Sequence, residues 1–201
     1  VANVAMAQEV TLDFSENNWG LPEGSSNKTV DTNSYSNGTY TIKLTGSEGN
    51  GYYFNSSGYL MLGKTGATLE LPAFNFDVER IDLVGTANAS ANTKVNIFVG
   101  DEAVSTESGV QGTNNFAIAE AKQAAGTVYT LKVLNNYNAQ IVQLLIYKKG
   151  AAPEIVIPEV ENIAAFKELA QGDKTKTVYL PYEATNLMGS IGGIKELFKA
   201  E

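Results

Sequence analysis

The octapeptide Gly58-Tyr-Leu-Met-Leu-Gly-Lys-Thr65 meets the phosphate-loop pattern G-x-x-x-x-G-K-[S/T] at every position. That chemistry needs a glycine-rich loop that leaves a buried strand and enters a helix, so that backbone N–H groups and the helix N-terminus face the phosphates. Here the four middle residues, Tyr59, Leu60, Met61 and Leu62, suit a strand. The following Gly66-Ala-Thr-Leu-Glu-Leu-Pro72 alternates and ends in proline, so no helix is expected to start there. The segment reads as a hairpin turning at Gly63-Lys64-Thr65-Gly66, and no nucleotide partner is expected.

Aromatic rings beside amides form a second group. A sugar site needs a flat ring against the apolar face of a pyranose and amides or carboxylates for its hydroxyls. Asn17-Asn18-Trp19 qualifies, as does Tyr52-Tyr53-Phe54-Asn55 with Tyr59 close behind. Trp19, Asn17, Asn18 and Tyr53 are therefore the candidate ligand-binding residues. The competing reading is packing: Trp19 would cap the sandwich edge, and alternation puts Tyr52 and Phe54 together on a core face. Asn135-Asn136-Tyr137-Asn138 reads as turn chemistry.

Glycoside hydrolysis would need two carboxylates facing each other across a cleft. Glu70, Asp77, Glu79 and Asp82 are strand-borne, and Glu70 and Asp82 could lie on neighbouring strands, but no spacing pairs them. A solvated sheet face explains them. Asp13, Asp101 or Glu102 could offer oxygen ligands to calcium, without the spacing of an EF-hand loop. The chain holds neither Cys nor His, which removes thiolate and imidazole catalysis and the usual zinc ligands. A non-enzymatic protein with no cofactor and no metal is expected. The formal net charge of −8 argues against nucleic acid as a partner. The sequons at Asn27, Asn37, Asn55 and Asn88 are expected by chance in so Asn- and Ser-rich a chain.

The elements that must position these residues are short strands. Thr127–Leu134 alternates, with Tyr129, Leu131 and Val133 on one face and Thr130 and Lys132 on the other, whereas Gln140–Tyr147 is apolar on both faces and is expected to be central. Upstream, Val10–Phe14, Thr39–Thr45, Gly51–Asn55, Tyr59–Leu62, Thr68–Leu71, Val78–Gly85, Lys94–Val99 and Asn114–Ile118 read as further strands. Residues 15–32, which hold Trp19, read as a long surface loop. Such spacing predicts an all-β, antiparallel, jelly-roll-like β-sandwich.

The phrases Gly63-Lys-Thr-Gly-Ala-Thr-Leu-Glu-Leu-Pro-Ala-Phe74, Ile81-Asp-Leu-Val-Gly85, Val95-Asn-Ile-Phe-Val-Gly100, Gly126-Thr-Val-Tyr129 and Asn138-Ala-Gln-Ile141 resemble the β-sandwich modules of secreted and surface proteins of gut Bacteroidetes. The resemblance spans roughly residues 9–149. Glu161-Asn-Ile-Ala-Ala-Phe-Lys-Glu-Leu-Ala170 resembles the lead-in helix of an OB-like domain that often follows such modules, although the five-strand pattern does not continue beyond Tyr179. The resemblance implies an exported interaction module, with carbohydrate binding among its roles, and supplies no site residues.

Residues 1–7, with small residues at Ala5 and Ala7, resemble the end of a secretory signal peptide, so a secreted or cell-surface location is expected. No stretch is long enough to span a bilayer as a helix. After the sandwich at 8–149, residues 150–160 carry two prolines and read as a linker. Residues 161–201 read as a short tail or incomplete second domain: a helix from Asn162 to Gln171, a strand at Thr177–Leu180 and an amphipathic piece at Ile191–Lys199. Two functions stay open. One is a recognition or adhesion module for surface or dietary glycans or a surface protein; the other is a structural spacer or assembly domain without a small-molecule ligand. An exposed Trp19 would favour the first and a buried Trp19 the second.

Overall fold

Inward and outward side chains alternate along several of the described strands, as a sheet with one buried face requires. Residues 7–24, 29–48 and 50–150 are described by a computed structural model. The strands are β1 (Ala7–Asp13), β2 (Asn33–Ser36), β3 (Thr41–Thr45), β4 (Tyr53–Asn55), β5 (Tyr59–Leu62), β6 (Thr68–Glu70), β7 (Val78–Gly85), β8 (Val95–Val99), β9 (Glu102–Ala103), β10 (Thr113–Ala117), β11 (Thr130–Val133) and β12 (Ala139–Lys148). One sheet runs β10-β7-β12-β5-β4, with β1 also on β12; the other runs β2-β3-β6-β11-β8-β9. All of these strand pairs are antiparallel. From β5 to β8 each successive strand crosses to the opposite sheet, and so do β10, β11 and β12, which makes the sandwich jelly-roll-like.

Leu12, Phe14, Leu60, Leu62, Ile81, Leu83, Phe116, Leu144 and Ile146 of the first sheet meet Ile42, Leu44, Leu69, Val95, Ile97, Leu131 and Val133 of the second, and none is more than 1% exposed. At about 25 cal/mol per Å² of buried apolar area, this layer dominates the stability of the fold.

β12 is central, and its two apolar faces have a specific origin. A bulge between Ile141 and Gln143 shifts the register, so Ile141 and Leu144 both turn inward although three positions apart. The same edge of β12 changes partner there, from β5 at Ala139–Ile141 to β1 at Gln143–Lys148.

One connection differs from expectation, and a second has the same form. β5 and β6 lie in opposite sheets, so Gly63–Gly66 is an arch across the sandwich and not a hairpin turn. β11 and β12 likewise face each other across the core, with Asn135 tying their link by accepting the Lys94 N–H and donating to Asn92 O. β2 and β9 were not legible as strands, since their side chains are polar or exposed and lack an inward stripe. β1 begins at Ala7, one residue inside the segment read as a leader. The linker at 150–160, the helix at 162–171, the strand at 177–180 and the piece at 191–199 lie outside the described residues, apart from Gly150.

Gly85 shows how closely the chain crosses itself. A Cβ there would lie 1.7 Å from the backbone oxygen of Val110, and its N–H donates to Gly112 O. Gly85→Ala is expected to cost about 1–3 kcal/mol, the range of overpacking substitutions. Urea denaturation should show a lower midpoint at unchanged m-value.

Candidate functional site

The loop that follows β1 turns inward. Trp19 is 2% exposed, stacks on Phe14 at 5.4 Å between ring centroids, and donates its indole N–H to Asp13 O at 2.7 Å. The expected contact platform on Trp19 is therefore not formed: the ring closes one end of the core and its polar handle is already engaged. Asn17 is also used internally. Its Oδ1 accepts the Leu21 N–H, while its Nδ2 lies within bonding distance of Leu21 O and of Glu23 Oε1 (2.9 Å). Asn18 is exposed.

Beyond Leu21 the loop runs along the free edge of β4. Pro22 O accepts the Phe54 N–H, Gly24 N–H donates to Phe54 O, and Thr29 and Tyr52 exchange backbone bonds. This covers an edge that would otherwise be open to another strand. Alternation along β4 sends Tyr52 and Tyr53 to opposite faces. Tyr52 is fully buried, and its hydroxyl meets Asn33 Nδ2, Tyr35 OH and Asp31 O within 3.0–3.1 Å. Tyr53 lies opposite Met61 and is 7% exposed, so it too presents little ring surface, contrary to its assignment as a contact residue. Burial first, and then the nearby Tyr53, pushes the Tyr59 hydroxyl above the ordinary tyrosine range.

What this meeting of loop and strand does create is a hollow of about 400 Å³, lined by Glu23, Gly24, Phe54 and Ser56. It brings together Glu23, whose carboxylate accepts from Asn17 Nδ2 at 2.9 Å, the partly buried Phe54 and Ser56. Sequence reasoning named the flanking residues but missed Glu23 and Ser56. The available signal was that Asn17 and Glu23 bracket the tight turn through Trp19 and Gly20.

The other candidates disperse. Glu70 pairs with Lys43 on the outer face of β6 and β3, whereas Asp82 lies on β7 in the opposite sheet, so they are not neighbours. Asp82 is 3% exposed and faces Arg80, two residues away on the same face of β7. Their Nη2–Oδ2 contact is a hydrogen bond at 3.1 Å; Nε and Oδ1 approach to 2.8 Å but without hydrogen-bond alignment. The guanidinium also lies 4.0 Å above the Tyr147 ring. Asp77 Oδ1 accepts the Ala125 N–H. Among the described residues no group of three or more carboxylates could hold a metal ion, and Glu102 is paired with Lys122. In the phosphate-loop look-alike, a Cβ on Gly63 would lie 2.2 Å from Asn50 O and Lys64 N–H donates to Ser47 Oγ, so the glycine serves a backbone crossing. Among the described residues no helix is long and apolar enough to cross a membrane.

No family model matches the chain, and no curated protein matches it.

Trp19→Ala is expected to cost about 3–5 kcal/mol, as truncation of a buried Trp does. Native Trp19 emission should be blue-shifted and should move red on unfolding. Asp13 gives a pH test. Partial burial would raise its carboxyl, but hydrogen bonds from Ser15 and Gln143 outweigh that and hold it below the ordinary 3.8. Its stabilisation is thus complete above pH 3.8 and lost as the pH falls through the lower folded value. The stability gap between the native chain and Asp13→Asn should be constant near neutrality and close in acid, as followed by denaturant midpoints.

Proposed function

We propose that the chain is an exported, non-catalytic recognition module that binds glycans at the hollow beside β4. The observation carrying this reading is the set of groups lining the hollow: the Glu23 carboxylate, the Phe54 ring and the Ser56 hydroxyl around about 400 Å³. A carboxylate and a hydroxyl suit sugar hydroxyls, a ring suits the apolar face of a pyranose, and the volume is within the range of small-ligand sites. Asn17 adds pre-organisation by holding Glu23, which lowers the ordering cost of binding. Export is what the resemblance to the sandwich modules of secreted and surface proteins implies.

The spacer reading draws on the buried Trp19. Against it stands the pairing of Ala7 with Lys148, which places the two ends of the sandwich about 5 Å apart. A module inserted through adjacent ends adds almost no length to the chain. It hangs to one side and presents loops, which suits recognition better than spacing.

The test is retention on an array of immobilised glycans by the native chain, Glu23→Gln and Ser56→Ala, with Trp19 emission confirming the fold of each. Hydrogen bonds to a charged group contribute about 1.5–3 kcal/mol, so Glu23→Gln should weaken binding about ten- to a hundredfold. A folded native chain that binds no glycan, or binding untouched by both substitutions, would overturn the assignment.

A further inference from the structure

The pairing of β1 with β12 also determines how the sandwich responds to a pull on its ends. The register runs from Ala7↔Lys148 to Asp13↔Gln143, and Phe14 N–H then donates to Val142 O at 2.8 Å. Among the described residues β1 has no other strand partner, whereas β12 is held on its far side by β7 from Ile141 to Lys148. Tension between residues 8 and 150 therefore acts across the open end of one antiparallel pair and loads its rungs one after another. Ends at opposite poles of a sheet would load all rungs together.

Resistance along β1 is graded. At the open end the ladder is broken by a bulge between Gln8 and Val10, and Val10 is 7% exposed. At the closed end Leu12 and Phe14 are fully buried. Just beyond them, several contacts converge on one point: Trp19 stacks on Phe14 and donates to Asp13 O, while the Asp13 carboxylate accepts from Ser15 N–H at 2.8 Å and Gln143 Nε2 at 3.3 Å. The Ser15 backbone also passes close to Gly58, where a Cβ would lie 2.9 Å from Ser15 O.

We propose that β1 is a tension-released strand: a pull on the paired ends peels residues 8–12 from β12 and halts at the Asp13–Phe14–Trp19 latch, baring the Leu144–Lys148 edge while β7 keeps β12 in place. The device needs no ligand and is independent of the hollow beside β4.

The native chain has no Cys, so the full chain carrying Gln8→Cys and Gly150→Cys can be held between two optical traps by those thiols alone. Five released residues at about 3.3–3.6 Å each, added to the roughly 16 Å of strand from Gln143 to Lys148 that turns into line with the pull, predict an early lengthening of roughly 30 Å before the main rupture. A second pair of attachment points, Thr39→Cys and Thr106→Cys, bypasses β1 and should give no early step. Adding Trp19→Phe to the end-pulled chain keeps a stacked ring but removes the indole N–H, and should lower the main rupture force with the early step intact. Trp19 emission of the two attachment variants before pulling establishes that each is folded. One all-or-none rupture in the end-pulled chain, or the same early step in both geometries, would overturn the proposal; an unchanged main rupture in Trp19→Phe would overturn the latch.

Discussion

Backbone pairing along β12 is the constraint on which the rest of the sandwich depends. This strand meets β7 on one edge and both β5 and β1 on the other, so three separate parts of the chain are registered against it. A strand has one inward phase, and two unrelated neighbours end to end on one edge would seldom share it. The bulge at Ile141–Gln143 resolves the conflict by letting each half of β12 keep its own phase while its side chains still fill one core.

Polar groups cut off from water are handled by local reciprocity. Tyr52 has a fully buried ring, and its hydroxyl is taken up by β2 and the turn before it. Arg80 and Asp82 face each other on β7 beneath the cover of Tyr147 and Leu145. Such a pair costs desolvation, offset in part by a charge-assisted bond and a ring contact. Its value here is orientation: a two-residue spacing on one strand keeps the charges together and commits that face of β7 to the outside.

Alternation made much of this legible. Tyr59–Leu62 and Val78–Gly85 were readable to the residue, because each carries an inward stripe that a one-residue slip would expose. β2 was not, since Asn33, Ser34 and Ser36 are all exposed and the strand exists only by pairing with β3. Connectivity was not legible either. Glycine and asparagine in Gly63–Gly66 or Asn135–Asn138 mark a reversal of direction, and a reversal within one sheet looks the same in sequence as an arch to the other. The site suffered from a similar ambiguity. A tryptophan among asparagines fits a sugar platform and a capped core equally well, and what decided between them was Phe14 lying one strand-end away. Asn17 and Glu23 bracket a tight local turn, but Glu23 became part of a hollow only because the loop returned along β4, a long-range event that the local signal does not carry.

The hydrogen bond between Gln143 and Asp13 joins residues 130 positions apart. Contacts of that separation raise the loop-closure entropy that must be met before any pairing is rewarded, and chains dominated by them fold slowly. In synthesis the consequence is sharper. β1 is made first, but its template, β12, is among the last of the sandwich strands to emerge. Until then Val10, Leu12 and Phe14 form an apolar stripe with no sheet to join, a surface of the sort that invites misassociation in a nascent chain. The strand that closes the molecule is also the one that must wait longest to be placed.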